Sequence, residues 1–116
     1  SESYIAQAIA RYGKRGTFRA GTVDVLLAEP AARDADLVTC TGVLHHLDDA
    51  EVSDVLATAL AVLKPGGRFV ALEPTYLAYQ SPMSRWFMSK DRGQNIRDDA
   101  GWQQLLRAVP FSTVQT

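Results

Sequence analysis

The 116-residue sequence has a single cysteine, almost no excess of either charge and no long apolar run. Because Cys40 stands alone, it can form neither an internal disulfide nor a zinc site built from several cysteines. Twelve basic and thirteen acidic side chains give a net charge of −1, which does not favour a nucleic-acid partner, and the acidic stretch over 24–73 weakens that interpretation further. The longest nearly apolar stretch, Val55 to Leu63, is too short to span a bilayer, and the first residues lack the pattern of a signal peptide. These absences predict a cytoplasmic protein with no membrane partner.

The composition that remains, 47% hydrophobic and 22% charged, is that of one ordinary globular domain. Its clearest pattern is a strand, a helix and a second strand. Asp36–Thr41 is a short β-branched run typical of a buried strand. Asp48 and Glu51 have the spacing of a capping box, at the start of a long apolar helical stripe. After Pro-Gly-Gly at 65–67, residues 68–73 are again typical of a buried strand, so the two strands are predicted to be parallel.

The flanking segments carry weaker patterns. Apolar spacing predicts a helix over 5–12, with Gly13 as a left-handed stop, and a short strand over 17–20. Residues 22–33 are ambiguous. The rest of the chain predicts a helix beginning at Ser81, a polar loop over 91–97, a helix over 102–109 and the opening of a strand at 111–116. Strands that alternate with helices favour the α/β class.

Two stretches go beyond generic α/β patterning. Residues 36–47, DLVTCTGVLHHL, resemble the fourth-strand motif of class I S-adenosylmethionine-dependent methyltransferases. Residues 63–70, LKPGGRFV, resemble that family's turn into its fifth strand, and the spacing between the two motifs also agrees. The resemblance implies a Rossmann-like, doubly wound and mostly parallel sheet with flanking helices. It also implies S-adenosylmethionine as cofactor and methyl transfer to a small-molecule acceptor.

The resemblance does not extend to the family's G-x-G-x-G turn or to the acidic residue that holds the cofactor ribose. The only comparable glycines, Gly13 and Gly16, follow a predicted helix instead of a strand. We therefore expect residues 1–116 to be a single partial domain that lacks the first two strands and the last strand or strands. On its own, such a chain is expected to bind S-adenosylmethionine weakly or not at all and to be inactive. The alternative is a non-catalytic α/β module that assembles with another chain and binds no cofactor.

An incomplete sheet has a further consequence for partners. The strand at 36–41 would expose an unpaired edge, which favours self-association between chains. Otherwise residues 17–20 would pair beside it.

The resemblance also indicates residues that contact the cofactor. The turn Thr41–Gly42 would line the methionine half, with Gly42 allowing close approach, although the glycine could merely end a strand. Gly21, Thr22 and Val23 stand where the family binds adenine. Thr22 replaces the usual acid there, so a plain loop is the competing interpretation.

His45 and His46 are the candidate catalytic residues, because a histidine at the mouth of the pocket could accept a proton from the methyl acceptor. Adjacent histidines are not expected to face one point in regular structure, so no metal site is predicted, and either ring could instead pack or cap the next helix. The pattern allows a substrate role or a plain strand end and loop for Glu73, Tyr76 and Tyr79. It allows core or lid packing, or a ligand site, for Met83, Trp86 and Phe87. It allows an anion site or a solvated face for Arg85, Lys90, Arg92 and Arg97.

Overall fold

The computed structural model describes residues 1–90 and 95–116. Its helices and strands follow one another in the order α1 (Glu2–Tyr12), α2 (Val25–Ala28), β1 (Ala35–Thr41), α3 (Asp49–Val62), β2 (Leu63–Leu72), α4 (Pro82–Met88) and α5 (Asp99–Arg107). Two single 3₁₀ turns, Pro30–Ala32 and Leu44–His46, precede β1 and α3 respectively. None of the helices in the described ranges is long and apolar enough to cross a membrane.

The predicted strand, helix and strand are confirmed. β1 pairs with β2 in parallel, and the register places Val38 beside Phe69 and Cys40 beside Ala71. The connecting helix α3 begins with the capping box, in which Asp48 accepts from the backbone N–H of Glu51 and Glu51 accepts from that of Asp48, both at 2.9 Å. The fold is therefore α/β, and it contains the parallel βαβ unit that the sequence predicted.

The core lies on one face of this two-stranded sheet. The buried apolar residues at its centre come from α3, from α5 and from the segments that flank these helices: Leu44, Val52, Leu56, Trp102, Leu105 and Val109. Cys40 and Phe69 pack against them from the sheet. Leu56 is 1% exposed, whereas Leu60, the other leucine that the stripe directs toward the sheet, is only partly buried.

The opposite face of the sheet is uncovered by the described residues, which corrects the prediction that both strands are buried. Leu37 on β1 is 54% exposed, and Val70 and Leu72 on β2 are 50% and 70% exposed. A side-chain period of two sends these residues away from α3. No residue of α1 is buried, so its apolar stripe does not contribute to the core.

Three local predictions are wrong. Residues 17–20 and 111–116 are not strands, because a strand needs a neighbour for its hydrogen bonds and only β1 and β2 form a sheet in the described part of the chain. Gly13 is not a left-handed stop: its φ is −52°, and its N–H continues the helical pattern by donating to Ile9 O at 2.8 Å. In the loop predicted over 91–97, residues 95–97 are irregular, and 91–94, with Arg92, lie outside the described residues.

Candidate functional site

The carboxyl ends of β1 and β2 meet at one edge of the sheet, where open α/β folds bind their ligands. Gly42 follows β1 directly and donates its N–H to Leu72 O at 2.9 Å, which ties the end of one strand to the end of the other. Its φ of +64° is in the left-handed region that favours glycine. Apart from Gly42 and its two chain neighbours, no atom of the described residues lies within 4 Å of the position that a Cβ would take, so the space beside this turn is open.

Glu73, the first residue after β2, reaches across this edge to the segment that follows Gly42. Its Oε1 accepts from the N–H groups of Val43 and Leu44, each at 3.0 Å. Its Oε2 accepts from the N–H of His45 at 3.3 Å and from the same residue's Nδ1 at 2.7 Å. The carboxylate thus caps the 3₁₀ turn that begins at Leu44, whose first N–H groups have no partner inside the turn.

Burial and hydrogen bonding act on Glu73 in opposite directions. Its side chain is 5% exposed, and this burial by itself raises the pKa of the carboxyl group. The hydrogen bonds from the His45 ring and from three backbone N–H groups outweigh burial and hold the pKa of Glu73 below its usual value of 4.5. Glu73 is therefore ionised at neutral pH, and His45 Nδ1 is the donor in the bond that joins them. Burial, and then the charge of Glu73, raise the pKa of the Cys40 thiol.

The two histidines have different surroundings. The side chain of His45 is 7% exposed and bound to Glu73, whereas His46 is exposed. Their ring centroids are 4.0 Å apart and the ring planes are tilted by 39°. Among the residues that the structure describes, no group of three His, Cys, Asp or Glu side chains is arranged to hold a metal ion.

Arg97 binds the other end of the same segment. Its Nη1 donates to Leu44 O at 3.2 Å, and its Nη2 donates to Leu47 O at 2.9 Å. Nε and Nη2 both bond to Asp49 Oδ1, at 2.9 and 2.7 Å, and the guanidinium lies over the Trp102 ring. Of the two readings offered for Arg97, a solvated face is excluded, because its side chain is only 10% exposed.

The second group of predicted cofactor contacts forms its hydrogen bonds locally. The Thr22 hydroxyl donates to Asp24, and the carbonyl groups of Thr22 and Val23 accept from Val25 and Leu26 at 3.3 and 3.0 Å. Gly21, Thr22 and Val23 therefore form the turn that leads into α2, whereas Thr41 and Gly42 are tied to the end of β2. The functional role of both groups stays a prediction.

A shallow groove of about 840 Å³ lies beyond the strand ends, lined among others by Tyr76, Tyr79, Arg85, Asp98 and Asp99. Arg85 lies over the Tyr76 ring, with 5.2 Å between the guanidinium carbon and the ring centroid. The adjacent helix α4 presents its apolar residues outward, which excludes packing in the core: Met83, Trp86 and Phe87 are all exposed.

Sequence reasoning could find Glu73 but not its role, and it could not find the role of Arg97. Glu73 is marked by its place at a strand end. Arg97 is separated by 48 to 53 residues from Asp49, Leu47 and Leu44, so no local pattern connects it to them.

The geometry defines the class of protein as an α/β domain that contains a βαβ unit, with an open, glycine-containing turn at the carboxyl end of a parallel strand. A family model described as "Methyltransferase domain" matches residues 1–69, which include this turn. The chain belongs to this methyltransferase domain family, and its fold is part of a Rossmann-like α/β fold. A search of curated proteins finds no match to the chain.

Proposed function

We propose that this chain contributes to the transfer of a methyl group from S-adenosylmethionine to a small-molecule acceptor, as part of a more complete domain. Membership of the methyltransferase domain family supports methyl transfer in general. The observation that carries the finer proposal is the open turn at Thr41 and Gly42, where a left-handed glycine leaves room for a ligand beside the end of a parallel strand.

Thr41 and Gly42 would hold the methionine half of the cofactor. Both residues are exposed, and the absence of a side chain at Gly42 permits close approach to the backbone. The next three N–H groups, of Val43, Leu44 and His45, already donate to Glu73, so they are not the groups that hold the cofactor. Gly21, Thr22 and Val23 are proposed to contact the adenine half.

The bound cofactor would supply an electrophilic methyl group, and the protein would align the acceptor with it and remove a proton where the acceptor carries one. His46 fits proton removal better than His45, because it is exposed beside the open turn. His45 is buried and donates to Glu73, so its role is to hold the turn that carries His46. The groove at Tyr76 and Tyr79 is the proposed place for the acceptor.

Gly42 and Gly66 offer a matched test of this site. Both have positive φ values, +64° and +79°. In the part of the chain that the structure describes, only their own chain neighbours lie within 4 Å of either Cβ position. Alanine at either position therefore carries a similar backbone strain, of about 1–2 kcal/mol. Only Gly42 lies at the proposed site, since Gly66 lies within β2, before the part of the strand that pairs with residues 37–41 of β1.

The experiment titrates the ¹⁵N-labelled chain with S-adenosylmethionine and follows both glycine amides by NMR. We expect Gly42 to shift with a dissociation constant of about 1 mM or weaker, and Gly66 to stay in place. Gly42→Ala should weaken binding at least about fivefold, or by about 1 kcal/mol, and Gly66→Ala should not. Ligand-induced shifts that avoid Thr41 and Gly42 would overturn the site. Micromolar binding by this chain would contradict the proposal that further segments complete it.

The alternative function, a non-catalytic module that assembles with another chain, is favoured by the exposed apolar side chains of Leu37, Val70 and Leu72. The sequence allows either weak cofactor binding or none, and the proposed function requires weak binding, so a chain without a cofactor-induced shift at Gly42 would behave as a pure assembly module. A cytoplasmic location stays a proposal and is supported by Cys40, the chain's single cysteine, which is a free thiol.

A further inference from the structure

The hydrogen bonds of Glu73 use the whole capacity of its carboxylate. An ionised carboxylate has about four acceptor positions, two on each oxygen. In this structure Oε1 accepts two N–H groups, from Val43 and Leu44, and Oε2 accepts two more, both from His45. A ligand that needed this carboxylate would first have to break one of these bonds in a site where the side chain is 5% exposed.

The guanidinium of Arg97 likewise uses all of its hydrogen-bond donors. It has five N–H donors. Nη1 donates to Leu44 O and to Asn95 O, at 3.2 and 3.0 Å. Nη2 donates to Leu47 O and to Asp49 Oδ1, and Nε donates to the same Asp49 oxygen.

These two charged groups bind opposite ends of one short segment, the Val43–Leu47 turn. Glu73 accepts its N–H groups and Arg97 donates to two of its carbonyl groups. A single 3₁₀ turn leaves most of these backbone groups without partners, so it does not hold its shape by itself. Gly42 directly precedes this turn and the exposed His46 belongs to it, so the positions of both residues depend on the turn.

We propose that Glu73 and Arg97 are positioning residues, which fix the Val43–Leu47 turn and thereby the ligand-facing Gly42 and His46, without touching cofactor or acceptor themselves. The inference deepens the proposed function and rests on it. It assigns neither residue to proton transfer, since every acceptor position of Glu73 is filled and all five N–H donors of Arg97 are already bonded.

The test compares Glu73→Gln and Arg97→Lys with the same two substitutions in a less buried ion pair. Glutamine keeps one oxygen but places an NH₂ group against N–H donors, and lysine offers three donors in place of five. Arg19 Nε and Glu29 Oε2 form a comparable ion pair at 3.0 Å outside the site, so Glu29→Gln and Arg19→Lys are the controls. Amide hydrogen exchange of Val43, Leu44 and His45 is measured in each labelled variant.

We expect each site variant to exchange these amides at least about tenfold faster than the wild type, while amides of Val52 and Leu56 in α3 keep their protection. The control variants should leave the turn unchanged. The shift that S-adenosylmethionine causes at Gly42 should also weaken in Glu73→Gln and Arg97→Lys and persist in the controls. If Glu73→Gln unfolds the chain, which loss of protection along α3 reveals, Arg97→Lys decides the question.

The failures of the two proposals can be distinguished. Unchanged exchange at Val43, Leu44 and His45 in a folded site variant would overturn the positioning role, whatever the cofactor does. Faster exchange together with an unchanged cofactor shift at Gly42 would also overturn it, because the turn would then not place the ligand contact. A third outcome is faster exchange in the site variants while Gly42 never responds to S-adenosylmethionine, even in the wild type. This outcome would support the role of Glu73 and Arg97 in fixing the turn and would overturn the proposed function.

Discussion

The two faces of the sheet differ in what covers them. On one face, Cys40 and Phe69 pack against the core formed with α3 and α5. On the other face, Leu37, Val70 and Leu72 are exposed. A parallel strand is normally buried on both faces, so we propose that the second face contacts another part of a domain or another chain. Residues on the covered face stabilise this chain, whereas those on the uncovered face are exposed to solvent.

The family match covers only part of the core: Leu44, Val52 and Leu56 lie within it. The matched residues 1–69 include α1, which has no buried residue. Trp102, Leu105 and Val109, which complete the core, lie beyond the match. The matched region therefore supplies the motif and the turn at the strand end, whereas α5 and Arg97 supply much of the packing that holds them.

The largest loss of stability is expected from a substitution of Leu56, on the covered side of the sheet. Leu56→Ala should lower the free energy of unfolding by about 2–5 kcal/mol, because it removes a fully buried side chain and leaves a cavity. Leu72→Ala is the matched control on the uncovered face, where the side chain is 70% exposed, and should cost less than about 1 kcal/mol. Chemical denaturation measures both. Equal losses would show that the two faces do not differ as the structure has them.

A smaller loss of stability is expected when low pH or a substitution removes the charge of Glu73. Because its pKa is lowered in the folded chain, the stability it contributes is present above the pKa of the unfolded chain and is lost as pH falls through the folded pKa. Glu73→Gln should cost about 1–3 kcal/mol at neutral pH. It should also flatten the fall in stability as pH drops through and below 4.5, the ordinary pKa of a glutamate, as denaturation at several pH values would show. A curve as steep as that of Glu29→Gln would contradict the assigned pKa shift.

The smallest effect on stability is expected on the uncovered side, where a proposed partner is a second copy of this chain. Leu37→Lys should change the free energy of unfolding by no more than about 0.5 kcal/mol, because the side chain is exposed. If chains associate through the edge of β1, the charge should dissociate them, while Leu27→Lys in α2 should not. Light scattering over a range of concentrations measures this. A wild-type chain that is monomeric throughout, with unprotected amides at 37–40, would contradict self-association.

Patterns within single elements were enough to predict the centre of the fold. The capping box at Asp48 and Glu51, the apolar stripe of α3 and the short β-branched run at 36–41 each depend on neighbours a few residues away. The strand predicted at 17–20 had no such support, since a strand exists only with a partner elsewhere in the chain. The same limit applies to Met83, Trp86 and Phe87, whose helical spacing is real but whose shared face points outward.

The candidate site also combines features that local sequence patterns predict with features that depend on long-range contacts. The sequence by itself determined the parallel βαβ unit, the glycine turn after β1 and the likeness to methyltransferases, because spacing and local chemistry carry them. Only the tertiary structure decided that Glu73 and Arg97 bind the two ends of the Val43–Leu47 turn, and that one face of the sheet is uncovered. The bonds join residues 28 to 53 positions apart, and exposure depends on which elements pack together. Neither quantity is a property of any short stretch of sequence.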